Sequence, residues 1–307
     1  MFRVSPLAMF ILVVALCLGL YFLLVLDDVR QPAIPQPSEP AKQARPQFKG
    51  TPIVIDPART ATLTGRVSVT GKVPSPVDLR EQFKANGTKD FEHCLKGRTS
   101  SETWLVGPEH GLANVVVWLR ESEGKYYQLP ADAVAGIKPV VLDSPYCAFE
   151  PHVAVLWPDR FEPDTRKLTG TGQTFTIKNS APIAHVAGWS SSTGINSIPG
   201  RSLSSGPLQI DFHSGPLDRA GGEDLIRFVC NIHPWMSAYV WVFDHPFAAV
   251  SSGGQADFGT YRIEGAPTGV ALELVYWHES LRQPKVLRNI TLQPEVKRVD
   301  FNLSADE

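Results

Sequence analysis

Residues 225–243 read LIRFVC, NIHPWMS and AYVWVF, a short segment rich in potential ligands between two runs of β-forming residues. Branched and aromatic side chains dominate both runs, which is typical of strands. A short connection between two strands directs its side chains from one rim of a sheet, and Pro234 restricts the backbone inside it. Residues 230–236 are therefore predicted to form a rigid loop at the end of a β-sheet.

This loop carries three kinds of metal ligand. Cys230 offers a thiolate, His233 an imidazole and Met236 a thioether. A soft thiolate and a weak thioether favour copper over magnesium or calcium, and a second histidine from elsewhere would complete a His₂Cys plane with Met as a long axial ligand. Cysteine and two histidines suit zinc equally well. The loop therefore predicts a copper site, with zinc as the alternative.

The pattern Cys-x-x-His-x-x-Met resembles the ligand loop of the cupredoxins, and among them the amicyanin-like members. The resemblance implies a β-sandwich with one type 1 copper ion that carries single electrons. It also implies a further ligand, a histidine that follows an Asn at the end of an earlier strand. Residues 173–178 alternate like a strand, Asn179 ends it and His185 follows. His185 is thus the expected fourth ligand, followed by Val186 where the family commonly has Asn, and His152 is the alternative.

Residues 258–269 read FGTYRIEGAPTG and precede a strand-like run at 270–276. This pattern resembles the carboxypeptidase-regulatory, transthyretin-like β-sandwich. Residues 62–303 as a whole resemble membrane-anchored bacterial proteins that join such a domain to a cupredoxin-like one. The resemblance implies an all-β fold, a cupredoxin-like Greek-key β-sandwich followed by a small transthyretin-like β-sandwich, in which the second domain has a structural or docking role.

The first thirty residues predict a membrane anchor. Residues 7–26 contain no charge and are long enough to cross a bilayer as a helix. No small-x-small cleavage site follows, and Arg3 lies before the span, so the folded part is expected on the periplasmic or extracytoplasmic side. We divide the chain into an anchor (1–30), a Pro-rich linker (31–61), a cupredoxin-like domain with an insertion (62–245) and the small sandwich (246–307).

The cysteine count predicts one disulfide. Three cysteines follow the predicted span, namely Cys94, Cys147 and Cys230. If Cys230 holds a metal as its thiolate in an oxidising compartment, the other two remain as a pair. We therefore expect a bond between Cys94 and Cys147.

The remaining composition narrows the function. With 29 basic and 31 acidic side chains, the net charge of −2 gives no reason to expect a nucleic-acid partner. The sequence has no nucleophile elbow, no His-Glu-x-x-His and no phosphate-binding glycine loop, so we do not expect an enzyme.

Two hypotheses about the function remain. One is a membrane-tethered copper electron carrier that meets a redox protein or membrane complex through Pro234, Trp235 and the edge of His233. The other is a non-redox β-sandwich scaffold or interaction module, with zinc as a structural ion.

Overall fold

A computed structural model describes residues 50–85, 90–203, 206–215 and 221–306. The predicted anchor and residues 31–49 of the predicted linker lie outside this part. Within it, no helix is long and apolar enough to cross a membrane. Strands account for 43% and helices for 8%, so the protein is all-β, as predicted. Residues 47–307 form one compact unit.

The described residues form strands and short helices. Alternation of buried and exposed side chains, as in residues 61–70, marks most of the longer strands. The strands are β1 (Thr51–Val54), β2 (Ala61–Thr70), β3 (Val116–Glu121), β4 (Lys125–Gln128), β5 (Val140–Leu142), β6 (Val153–Leu156), β7 (Asp159–Glu162), β8 (Lys167–Gly170), β9 (Phe175–Ile177), β10 (Val186–Ser191), β11 (Ile198–Ser202), β12 (Leu208–Ile210), β13 (Glu223–Cys230), β14 (Ser237–Phe243), β15 (Ala248–Val250), β16 (Thr260–Ala266), β17 (Ala271–Trp277), β18 (Lys285–Thr291), β19 (Val296–Arg298) and β20 (Phe301–Ser304). The α-helices are α1 (Arg80–Ala85) and α2 (Phe91–Cys94), and 3₁₀ turns span Pro57–Arg59, Pro108–His110 and Ala131–Val134.

The ligand loop belongs to a five-stranded sheet with the order β11-β10-β13-β14-β6. The pairs within it are antiparallel except β14 with β6, which is parallel. A three-stranded sheet, β12-β9-β5, shares an apolar core with it. Alternate residues of β13 enter this core, and Phe228 is fully buried there. These two sheets form a β-sandwich, and the loop at 230–236 lies at its edge.

A second pair of sheets encloses another core. One has the order β15-β3-β17-β18, and the other has β16-β2-β19 with β20 also paired to β2. Strand β2 thus pairs with three strands of the C-terminal segment. Hydrogen bonding between strands therefore crosses the boundary that we placed after His245. The C-terminal strands complete their sandwich with strands from the start of the described chain.

Strand β14 contributes to both cores, because both of its faces are buried. Val240 belongs to the core that also contains Cys230, whereas Trp241 belongs to the core of the other sandwich. The ring centroid of Trp241 lies 5.0 Å from that of Trp118 in β3. Trp118 also donates its indole N–H to Glu223 of β13 at 2.8 Å. The two sandwiches are thus joined by aromatic packing and a partly buried hydrogen bond.

The structure differs from the predicted linker at its C-terminal end. Strand β1 pairs in parallel with β4, and Ile53 and Ile55 are 3% and 7% exposed. Burial of these two side chains offsets the entropy of ordering the segment. Ordered structure is therefore present at Thr51–Val54, ahead of the start at Thr62 that the predicted linker implies, because an apolar alternation is present between the prolines at 52 and 57.

Candidate metal centre

The loop between β13 and β14 has a closed backbone conformation. Cys230 is the last residue of β13, and its N–H donates to the carbonyl of Met236 at 3.3 Å. The N–H of Met236 in turn donates to the carbonyl of His233 at 2.9 Å. These bonds hold the three candidate ligands of the loop in one tight turn. The predicted pair of strands on either side of the loop is present.

Strand pairing brings His185 to the loop. His185 directly precedes β10, and Ala187 of β10 lies opposite Cys230 in the antiparallel register with β13. Beyond Cys230, the N–H of Asn231 donates to the carbonyl of Val186 at 2.8 Å. On the other side, the N–H of Leu203 donates to the carbonyl of His185 at 3.0 Å. Backbone bonds therefore fix the start of β10 against the end of β13.

The turn that leads to His185 is braced by Asn179. Its side-chain amide donates to the carbonyl of Ile183 at 2.7 Å, and its side-chain oxygen accepts from the N–H of Ala181 at 3.0 Å. Asn179 follows the short strand β9, as the sequence indicated. The segment before the histidine is thus held by its own hydrogen bonds.

Three ligand atoms converge at this point. The Sγ of Cys230 lies 3.8 Å from the Nδ1 of His185 and 3.7 Å from the Nδ1 of His233, and the two nitrogens are 3.2 Å apart. Two ligand atoms that each lie about 2.0–2.3 Å from a shared ion, as imidazole nitrogen and thiolate sulfur do, are about 3–4 Å apart. The three residues are 0–2% exposed. The group can therefore bind a metal ion away from water.

Both imidazoles are in the form that binds metal. Burial, together with the neighbouring His233, lowers the pKa of His185 to about 4. Burial also lowers the pKa of His233, although Asp90 opposes the shift. Both rings are neutral near pH 7, and a neutral ring offers a nitrogen lone pair. Because the pKa of each imidazole is lowered, its nitrogen is free of a second proton near pH 7 and can bind a metal ion.

Asp90 orients the ring of His233. Its Oδ2 lies 3.5 Å from the Nε2 of His233, so the proton of a neutral ring is favoured on Nε2 and the Nδ1 lone pair faces Cys230. The Nε2 of His185, by contrast, is buried and makes no hydrogen bond of ordinary geometry within the described chain. Sequence reasoning missed Asp90, because nothing local shows that it packs on residue 233.

Met236 is part of the buried wall of the site. It is 1% exposed and belongs to the same apolar cluster as Cys230. The hydrogen bond from its N–H to the carbonyl of His233 keeps it in the same turn as that ligand. Met236 as the axial ligand stays a prediction.

His152 is held away from this group by partners of its own. Its Nδ1 lies 3.1 Å from the carbonyl of Ser237, and its Nε2 lies 2.7 Å from the Oε1 of Glu279. Both ring nitrogens are therefore engaged. Burial alone would lower the pKa of His152, but the hydrogen bond and charge of Glu279 raise it above its ordinary value. Of the two candidate histidines, the structure brings only His185 to Cys230.

The predicted docking surface is only partly exposed. Pro234 is exposed and Trp235 is half-buried, but the side chain of His233 is only 1% exposed. Phe83 of α1 packs on Trp235 with ring centroids 4.9 Å apart. The structure therefore differs from the expectation that the edge of the imidazole is open to a partner. Asp90, which directly precedes α2, lies 3.5 Å from the Nε2 of this imidazole and covers that edge.

The predicted disulfide between Cys94 and Cys147 is confirmed. It joins α2 to the segment before β6, and both cysteines are buried. Their sulfurs and a ring nitrogen of His233 lie within 4.8 Å of one another. The disulfide thus lies directly beside the metal-ligand group, which the sequence did not indicate.

Neither a protein-family model, nor a curated protein, nor a solved structure matches this chain.

Proposed function

We propose that this chain is a membrane-tethered type 1 copper protein that carries single electrons on the extracytoplasmic side of a membrane. The observation that carries the proposal is the group of His185, Cys230 and His233, whose ligand atoms lie 3.2–3.8 Å apart in a buried site. A bound copper ion would supply a one-electron couple. The residues of the chain would hold the ion, exclude water and limit its rearrangement between oxidation states.

The donor set favours copper over zinc. Structural zinc sites use four protein ligands, most often cysteines and histidines. Among the described residues, no carboxylate and no further cysteine or histidine belongs to the group of His185, Cys230 and His233. The remaining donor on the loop is the thioether of Met236, and thioethers select copper. A set of two imidazoles, one thiolate and one thioether is therefore better suited to a copper couple.

Rigidity of the site supports electron transfer and not catalysis. Cys230 and His185 are fixed by paired strands, and His233 is held by the loop and Asp90. His185, Cys230 and His233 are each 0–2% exposed, so little of their surface can meet a substrate. A site with preset ligands that excludes other molecules favours the electron carrier over an oxidase.

Contact with a redox partner is proposed at the exposed part of the loop. Ile232 is 38% exposed and Pro234 is also exposed, and both are joined through the backbone to His233. A partner that covers these two apolar residues would approach the metal ligand by the shortest covalent route. The uncharged segment at 7–26 would tether the protein, and the disulfide fits an oxidising compartment.

Optical spectroscopy of the copper-loaded full chain tests the proposal. We expect an intense visible thiolate-to-copper band that is lost in Cys230→Ser. Cys17→Ser is the matched control, because it removes a cysteine of the predicted anchor and should leave the band unchanged. A colourless protein that retains one zinc ion per chain would instead support the scaffold hypothesis and overturn the carrier.

A further inference from the structure

A second set of soft ligands lies beside the first. The two sulfurs of the Cys94–Cys147 disulfide and a ring nitrogen of His233 lie within 4.8 Å of one another. Cys94 is 1% exposed, Cys147 is 3% exposed and His233 is 1% exposed. As a disulfide, the two sulfurs have no thiolate character and bind metal poorly. As thiols, they would complete a Cys₂His ligand set.

The segments that carry the two cysteines are joined by contacts other than the disulfide. The Nε2 of His93, next to Cys94, lies 3.1 Å from the carbonyl of Pro145. The ring of His93 also packs against Tyr146, the neighbour of Cys147, with centroids 5.6 Å apart. Because these contacts do not depend on the S–S bond, the two sulfurs are expected to stay near each other after reduction.

The second segment is also joined to the metal loop. Trp235 donates its indole N–H to the carbonyl of Cys147 at 3.1 Å. The ring centroid of Trp235 lies 5.2 Å from that of His233. One indole therefore holds the backbone of Cys147 and the imidazole of His233 together. The side chains of Cys94, Cys147 and His233 are therefore held together by Trp235 of the loop as well as by His93 of α2.

Cys147 can be approached from a cavity. A cavity of about 130 Å³ is lined by Cys147 together with Arg98, Glu102, His152 and Trp235. The side chain of Arg98 is 44% exposed, which places part of the lining at the surface. Cys147 is among the residues that line this cavity, whereas Cys94 is not. Thiol–disulfide exchange requires such access to one of the two sulfurs.

We propose that reduction of the Cys94–Cys147 disulfide creates a second soft-metal site, in which both sulfurs and His233 bind Cu(I). An external dithiol reductant supplies two electrons and two protons. It becomes a disulfide itself, while the S–S bond breaks and two thiols form. Binding of Cu(I) displaces the two thiol protons to solvent and leaves two thiolates on the metal.

The two sites share His233, so their occupation is linked. The Nδ1 of His233 faces Cys230 and His185. In the oxidised chain this imidazole serves only the first group, whereas in the reduced chain it also belongs to the second. The redox state of the disulfide would thus control how many soft ligands surround the imidazole. This inference takes only the choice of copper from the proposed function.

The test uses the full chain with Cys230→Ser, which removes the first site. The protein is reduced with a dithiol, desalted without oxygen and titrated with Cu(I), and bound copper is measured together with its sulfur ligation by X-ray absorption. We expect about one copper per chain on two sulfurs in the reduced protein, and no stoichiometric copper in the oxidised protein. Adding Cys94→Ser and Cys147→Ser should abolish the binding, and adding His233→Ala should weaken it about tenfold or more.

Several results would overturn the proposal. These are absence of copper from the reduced Cys230→Ser chain, equal binding by the variant that also lacks Cys94 and Cys147, and loss of folded structure on reduction as seen by circular dichroism. None of these results bears on the visible band of the oxidised wild-type chain. The two proposals can therefore fail separately.

Discussion

The backbone N–H of Asn231 donates to the carbonyl of Val186 at 2.8 Å. These residues directly follow Cys230 and His185, so one hydrogen bond holds the two ligand positions of neighbouring strands in register. The link runs through the backbone, so it does not depend on which side chain stands at position 186.

Replacing Asn231 by Pro removes this donor. We expect Asn231→Pro to lower the free energy of unfolding by roughly 1 kcal/mol, because the carbonyl of Val186 loses its hydrogen-bond partner. Metal affinity should fall as well, since His185 and Cys230 would no longer be held together. Denaturant titration and metal competition measure the two effects. Asn231→Ala keeps the N–H and is the control. Equal behaviour of the two variants would show that the bond does not organise the site.

Much of the site could be predicted because its signals are local. The strands on either side of the loop follow from residues 225–230 and 238–243, which are rich in branched and aromatic side chains. The ligand types follow from side-chain chemistry. The disulfide followed from counting cysteines once Cys230 was assigned to a metal.

What could not be predicted depends on contacts between distant residues. Strand β6 pairs with β14, and β2 pairs with the C-terminal strands, although no local pattern selects these partners. The position of Asp90 beside His233, and of Glu279 beside His152, likewise arises only when separate segments pack together. Periodicity reports which face of an element is buried, and it does not report what covers that face.

The ion pair of His152 and Glu279 predicts a pH-dependent stability. Their side chains are 7% and 9% exposed, and Nε2 lies 2.7 Å from Oε1. Burial opposes the charged form of both, but the pair raises the pKa of His152 and lowers that of Glu279. The contribution of His152 is complete below its unfolded pKa of about 6.5 and is lost as the pH rises through its folded pKa. The contribution of Glu279 is present above about 4.3 and is lost as the pH falls through its folded pKa.

Glu279→Gln should therefore cost most between about pH 4.3 and 6.5, on the order of 3 kcal/mol for a broken buried pair. The cost should shrink as the pH rises through the folded pKa of His152. Unfolding by denaturant over a series of pH values measures it. Glu264→Gln, which disrupts an exposed pair with Arg262, should change little at any pH. A cost for Glu279→Gln that does not vary with pH would contradict the coupling.

Reduction of the disulfide should lower stability without unfolding the protein. Cys94 and Cys147 are 53 residues apart, and closing a loop of that length contributes on the order of 4 kcal/mol on the entropic model. We expect the denaturation midpoint of the full chain to fall on reduction. The double variant Cys94→Ala and Cys147→Ala should have a similarly lowered midpoint under oxidising conditions, whereas Cys17→Ser should not. Non-reducing peptide mapping that finds both cysteines free would remove the basis of the prediction.

Replacing Met236 by Leu tests the proposed axial ligand. Leu preserves a buried apolar side chain of similar volume, so we expect a stability cost below about 1.5 kcal/mol. The visible band should persist, because His185, Cys230 and His233 remain. The reduction potential should rise, since loss of a weak sulfur donor destabilises Cu(II) more than Cu(I). Voltammetry of the copper-loaded chain measures the shift, with Met9→Leu in the predicted anchor as the matched control. A potential equal to that of the wild type would mean that Met236 packs beside the ion and does not bind it.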